Sequence, residues 1–149
     1  MLMELSIHKA TVEDAGIIVP LFDAYRMFYQ QPSDMKGAAE FITERLRQNE
    51  SVIFIAFINN IAVGFTQLYP IFTSVGIQRT WLLNDLFVDN AYRGKGIATY
   101  LLDTAKDFGF HNNGKWLMLQ TGKDNLAAQS VYEKNGWHRE TDIFYSINL

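Results

Sequence analysis

The stretch LNDLFVDNAYRGKGIATYLLDTA, residues 83–105, contains the strand-to-helix transition on which the fold depends. Its beginning is apolar and strand-like. Its end places Ile97, Leu101, Leu102 and Ala105, followed by Phe108, on one face of an amphipathic helix. Between them stands Arg93-Gly94-Lys95-Gly96, two glycines and two cations at a single junction. A glycine-rich turn entering a helix points unpaired N–H groups outward, and the helix dipole favours an anion there. Arg93 and Lys95 add charge at the same place. An ordinary turn with solvated cations is the plainer alternative. Two phosphate motifs are excluded: G-x-x-x-x-G-K-[S/T] is absent, and G-x-G-x-x-G meets Thr99 at its third glycine.

Outward from this segment the elements follow in order. Residues 4–9 alternate as a first strand, and Thr11 with Asp14 resembles a capping box. Ile17, Ile18, Leu21, Phe22, Tyr25, Phe28 and Tyr29 then repeat at helical spacing. Pro32 ends that helix, and Ser33 or Asp34 caps a second one reaching about Gln48. Residues 51–58, the pair Asn59-Asn60, and residues 61–69 read as strand, tight turn and strand, because Asn tolerates positive φ. Strands near 78–89 and at 115–121 follow, then a helix over 125–136 stopped by Gly136. A last strand is expected at 143–149, with another at 137–140 if that stretch also pairs. Hairpin-joined strands followed by helix-joined strands predict an α/β fold, with a mixed sheet and helices on both faces.

The 149 residues suit one domain, 1–149. A formal charge of −3 argues against a nucleic-acid binder, which carries a basic face, and mildly favours a cationic small-molecule partner. Asp34, Glu40 and Asp85 are the carboxylates expected near such a pocket. With no cysteine, a disulfide, a thiolate metal site and a cysteine nucleophile are all excluded. His8, His111 and His138 lack ligand spacing, so no metal site is expected. The N-terminus has no signal-peptide pattern, and runs such as SVIFIAFI are too short to span a bilayer. The expectation is a soluble cytoplasmic protein without membrane contact.

Two segments carry a family resemblance. Arg93-Gly94-Lys95-Gly96-Ile97-Ala98 matches the R-x-x-G-x-[G/A] loop of the GCN5-related N-acetyltransferases (GNAT). NLAAQSVYEKNGW, residues 125–137, matches that superfamily's N-x-x-A-x-x-x-Y-x-x-x-G-[WF] signature through Asn125, Ala128, Tyr132, Gly136 and Trp137. LFDAYRMFYQ with LNDLFVD looks most like the branch of histone, polyamine and D-amino-acid acetyltransferases.

The resemblance implies a GNAT-type, mostly antiparallel sheet in which the strand before the loop splays from its parallel neighbour. The backbone of Leu86, Phe87 and Val88 is then expected to bind the pantetheine arm of acetyl-CoA. The N–H groups from Arg93 through Ala98, including Gly94, Lys95, Gly96 and Ile97, are expected on its pyrophosphate, with Asn125 also at the coenzyme. Tyr132 falls at the family position that protonates the departing thiolate; a core aromatic is the plainer alternative.

Some related amine acetyltransferases have Glu-Asp where this chain has Asn84-Asp85, and Asn84 cannot serve as a base. Strand alternation sets Asp85 on the opposite face from Asn84, and only a bulge there turns Asp85 inward as the base. Otherwise water serves. Phe28 and Tyr29, with Asn84, are candidate walls of the acceptor pocket, although helical spacing marks the aromatics as core first. Trp81 reads as packing or a dimer contact.

The expected activity is direct acetyl transfer from acetyl-CoA to a primary amine of a small molecule, such as a polyamine or amino acid. A non-catalytic acyl-CoA-binding module and a protein-lysine acetyltransferase are the alternatives. Resemblance to dimeric relatives and the aromatic C-terminus favour a homodimer.

Overall fold

Continuous apolar runs such as VIFIAFI can be satisfied only in a strand covered on both faces. In the structure, a computed structural model describing residues 2–149, they lie at the heart of the sheet. The strands are β1 (Leu5–Lys9), β2 (Val52–Ile58), β3 (Ile61–Thr73), β4 (Gln78–Val88) and β5 (Leu117–Met118). They stand side by side in that order. The first three pairings are antiparallel and β4–β5 is parallel. The helices are α1 (Ala15–Phe28), α2 (Met35–Arg47), α3 (Ile97–His111) and α4 (Leu126–Lys134).

Helices α1 and α2 cover one face, burying Ile18, Phe22 and Ile42 against Ile53, Ile55, Phe65 and Phe87. Helix α3 covers the other, burying Leu101, Leu102 and Ala105 against Phe54, Leu68, Trp81 and Leu83. The expected mixed sheet with helices on both faces is therefore present.

Local chemistry explains the boundaries. Asn59 and Asn60 both have positive φ (47° and 66°), as the tight β2–β3 turn requires. Asp34 caps α2 by accepting the Gly37 N–H at 2.8 Å. Buried Asp23 of α1 ties down the connection, accepting the Ser33 hydroxyl (2.7 Å) and the Asp34 N–H (2.8 Å). These hydrogen bonds, the Ser33 hydroxyl foremost, hold the Asp23 carboxyl below its ordinary pKa.

One irregularity governs the rest. Gln67 of β3 faces Asp85 and Leu68 faces Leu83, so Asn84 has no partner and forms a bulge in β4. The bulge reverses the alternation. Trp81 and Leu83 face α3, whereas Phe87 faces α1 and α2. Asp85, two residues before Phe87, is turned to that same side and is only 2% exposed.

Three expectations are corrected. The strand read over 115–121 pairs only at Leu117 and Met118, opposite Trp81 and Leu82, because the bulge bends β4 away beyond them. Residues 137–140 and 143–149 form no strand. Ile143, Phe144, Tyr145 and Ile147 are 70–93% exposed; an alternating pattern makes no strand without a neighbour, and a two-residue β5 offers a poor one.

Candidate active site

Past Leu82 and Met118 the parallel strands β4 and β5 separate, opening a gap in the sheet. Asp89 N–H still bonds to Val63 of β3 (2.7 Å). Antiparallel alternation therefore turns the N–H and C=O of Val88 and Leu86 into the gap, and those of Phe87 toward β3. A cavity of about 390 Å³ occupies this gap. Its walls are Leu86, Phe87 and Val88 on one side and Asn125, Ala127, Ala128, Val131 and Tyr132 of the α4 segment on the other. Phe28, Tyr29, Tyr92–Gly94 and Gly96–Thr99 complete the lining.

The glycine loop leaves backbone donors free at a helix start. Asp89 accepts the Ala91 N–H (2.8 Å) and starts a turn that carries the chain out of β4. Gly94 and Gly96 then take φ values of +77° and +78°, and Gly96 is the N-cap of α3. The first helical bond runs from Tyr100 N–H to Gly96 C=O (3.2 Å), leaving the N–H groups of Ile97, Ala98 and Thr99 outside the ladder. A Cβ built on either glycine meets nothing within 4 Å, so open space lies directly over this helix end.

The two cations of the loop diverge. Arg93 folds back into the cavity, where Nε donates to Val88 C=O (2.9 Å) and the guanidinium lies over Phe28 (5.3 Å) and Phe87 (5.7 Å). Lys95 lies over Tyr92 (5.3 Å) and is not part of the cavity wall. Across the gap, the Asn125 side chain caps α4 by accepting the Ala128 N–H (3.2 Å). Asn135 links α4 to the first turn of α3 through Thr99 (3.3 Å). Tyr132 is half-buried, and burial first, then the Tyr29 phenol, raises its pKa above the ordinary 10.0.

Asp85 lies behind this cavity rather than in its wall. It accepts hydrogen bonds from Gln67 Nε2 and from Asn84 Nδ2 (2.9 Å). Burial raises its pKa from the ordinary 3.8, against the opposing pull of Gln67, Tyr25 and Asn84. Asn84 is exposed and also lies outside the cavity wall. Asp34 and Glu40 are not at the pocket, contrary to expectation: the first caps α2, and the second pairs with Lys36 (3.8 Å).

A raised carboxyl pKa has a consequence for stability. The folded state disfavours ionised Asp85, so the penalty is absent at low pH and grows as pH rises from the unfolded value through the folded one. Asp85→Asn is expected to melt no lower than the parent near pH 4 and higher at pH 7. The gain follows roughly 2–4 °C per kcal/mol, at about 1.4 kcal/mol per pKa unit. A melting series across that range checks this; a pH-independent difference contradicts it.

Sequence reading missed Tyr92, Thr99, Ala127, Ala128 and Val131 in the wall, and Tyr25, Gln67 and Tyr69 around Asp85. Helical spacing from Tyr132 was a usable signal for Ala128 and, one turn earlier, for its neighbours.

The sequence profile of the Acetyltransferase (GNAT) family matches residues 18–137. An uncharacterized N-acetyltransferase of Bacillus subtilis (strain 168), YhfO, is 47% identical over 146 residues, covering 97% of this chain and 98% of its own. A probable acetyltransferase of Haemophilus influenzae is 38% identical, covering 89% and 90%. The crystal structure of a probable acetyltransferase superposes with a TM-score of 0.92 at 35% identity over 97% of both chains. An aminoglycoside N-acetyltransferase crystallised with CoA shares the fold, with a TM-score of 0.81 at 19% identity over 100% and 98% of the chains. The split sheet, the glycine loop at its mouth and these similarities agree: the chain belongs to the GNAT family of acetyltransferases.

Proposed function

We propose that this acetyltransferase moves the acetyl group of acetyl-CoA onto a primary amine of a small molecule, a polyamine or an amino acid being the type. The observation that carries this reading is the helix end of α3 opening, over two side-chain-free glycines, onto the gap between β4 and β5. The free N–H groups of Ile97, Ala98 and Thr99 suit a pyrophosphate, and a side chain at Gly94 or Gly96 would fill the space it needs. The gap-facing backbone of Leu86 and Val88 suits an extended amide-bearing arm. Arg93, which now occupies the Val88 C=O, would have to release it for such an arm to pair there, and its charge would then be free for the phosphates. When bound, acetyl-CoA supplies an acetyl thioester activated toward amines.

The chain's residues supply the proton transfers. Tyr132 keeps its Oη proton at neutral pH, because burial holds its pKa up, and serves as the acid for the leaving sulfur. Asp85 is the base that takes the proton of the incoming ammonium, since its burial without a cation favours the protonated form. The Val88 N–H is the donor for the developing oxyanion. Phe28 and Tyr29 form the acceptor wall. The Phe28 ring already receives the Arg93 guanidinium at 5.3 Å, so its face suits an organic cation.

A small amine is favoured over a protein segment because the aromatic rings of Phe28 and Tyr29 at the cavity suit a compact organic cation. Spermidine or an amino acid is therefore expected to be acetylated with higher kcat/KM than a lysine-containing histone-tail peptide. Steady-state rates on that panel check this, and a preference for the peptide overturns it. A non-catalytic acyl-CoA-binding module is the second reading, favoured by Asn84 standing where related enzymes have Glu and by Asp85 lying outside the wall. Coenzyme binding without turnover on any amine would establish it.

The exposed apolar residues Ile143, Phe144, Tyr145 and Ile147 suit burial against a second copy, so a homodimer is part of the proposal. Light scattering giving a monomer removes that part. Among the described residues no helix is long and apolar enough to cross a membrane, and no cluster of metal-ligating side chains occurs.

A further inference from the structure

Asp85 is not in the cavity wall, and Tyr25 of α1 touches both Asn84, the neighbour of Asp85, and two residues of that wall. Its ring packs edge-on against Tyr29 (5.0 Å) and Phe87 (6.4 Å), both of which line the cavity. Its hydroxyl lies at the bulge, donating to the Asn84 carbonyl at 3.4 Å, beside the Asp85 carboxyl.

The other sides of Asp85 are closed. Gln67 Nε2 donates to one oxygen and Asn84 Nδ2 to the other. Gln67 is fully buried and its Oε1 has no partner, so its amide is committed to Asp85 while its own acceptor goes unmet. The remaining titratable neighbour is Tyr69 of β3, which feels both Asp85 and Arg45 of α2. Arg45 itself pairs with Glu50 (2.6 Å). No lysine, arginine or histidine among the described residues forms an ion pair with Asp85. A desolvated carboxylate held by amides and phenols, with no cation, is a proton acceptor awaiting a path.

We propose that Tyr25 is that path, a proton relay between the acceptor amine in the cavity and Asp85. The relay rests on the acetyltransferase reading of the same site. In the step, an N–H bond of the ammonium breaks and its electron pair stays on nitrogen as the nucleophilic lone pair. The released proton binds Tyr25 Oη while the phenol's own proton passes to an Asp85 oxygen. Tyr25 ends neutral, Asp85 ends protonated, and one proton has moved from nitrogen to carboxyl. The exchange is concerted, because burial first, and then the charge of Asp85, set phenolate formation by Tyr25 far out of reach.

The test is Tyr25→Phe, which keeps the ring against Tyr29, Phe65 and Phe87 and removes only the hydroxyl. Acetyl-CoA is expected to stabilise the variant as it does the parent. At neutral pH, kcat/KM for a strongly basic alkylamine should fall about 10²–10³-fold, whereas that for trifluoroethylamine, already largely neutral, should stay within about threefold. The double variant Tyr25→Phe/Asp85→Asn should be no worse than the more impaired single variant, as for two members of one path. An equal loss on both amines makes Tyr25 a packing residue and overturns the relay. So does no loss on either, or additive losses in the double variant. A parent protein that binds acetyl-CoA but turns over neither amine would remove the acetyltransferase reading, and the relay with it.

Discussion

A valine at Gly96 is expected to abolish the thermal stabilisation that acetyl-CoA confers on the parent protein. Two observations set this expectation. Gly96 has φ +78° as the N-cap of α3, and a Cβ there meets no protein atom within 4 Å. The side chain is therefore not rejected by the core. It projects instead into open space over the N–H groups of Ile97, Ala98 and Thr99, where the proposed function puts the pyrophosphate. A β-branched residue in this conformation also carries strain of about 1–3 kcal/mol, so a lower baseline melting temperature is expected. The informative quantity is the coenzyme-induced shift within each variant. At about a hundredfold excess over Kd, the parent gains about 2.7 kcal/mol, and Gly96→Val should gain nothing measurable. Gly136 supplies the control, since it has a comparable φ of +85° at the end of α4 and lies outside the cavity. Gly136→Val should melt lower yet keep the full shift. A folded Gly96→Val protein with the parent's shift would place the coenzyme elsewhere.

Tyr132→Phe is expected to lower kcat by roughly 10²–10⁴-fold, the span of general acid–base catalysis, while leaving coenzyme binding intact. Tyr132 lines the cavity from α4, its ring 6.4 Å from that of Trp137. Phenylalanine preserves that packing and deletes only the proton donor. Burial raises the phenol's pKa, so the proton is retained through neutral pH and is present when a thiolate leaves. On the proposed mechanism the loss belongs in kcat, because an acid for the leaving sulfur acts late in bond cleavage. Steady-state kinetics beside a coenzyme titration on both proteins read the two effects separately, provided chemistry limits turnover. A Phe variant within about threefold of the parent's kcat removes Tyr132 as the acid. Collapse of the fold would instead make it a packing residue.

The parts legible in the sequence were those written in local chemistry. Asn59-Asn60 announced the hairpin because only a few residues accept positive φ at both positions. Arg93 through Ala98 announced a helix start entered through a glycine turn, and Gly94 and Gly96 do take positive φ there. Asp34 caps the helix it precedes, as its short polar side chain suggests.

What stayed hidden depends on register. The sequence raised a bulge at Asn84-Asp85 only as a condition. Its position is fixed by the facing strand, where Gln67 meets Asp85 while Leu68 meets Leu83. Tyr25 fitted the apolar stripe of α1, and nothing in its spacing distinguishes a phenol against Phe65 from one reaching a carboxyl on β4. Asp34 and Glu40 were misplaced because acidity says nothing about which way a helix faces. Residues 143–149 alternate as a strand does, but pairing requires an edge, and β5 is too short to provide a long one.

The central claim is acetyl transfer to a small amine at the gap between β4 and β5. It is tested most directly by mass spectrometry of a reaction holding the protein, acetyl-CoA and spermidine. The account predicts spermidine heavier by one acetyl group and an equal amount of free coenzyme A, with both products lost in Gly96→Val. Hydrolysis of acetyl-CoA without acetylated amine, or undiminished product from Gly96→Val, would contradict it.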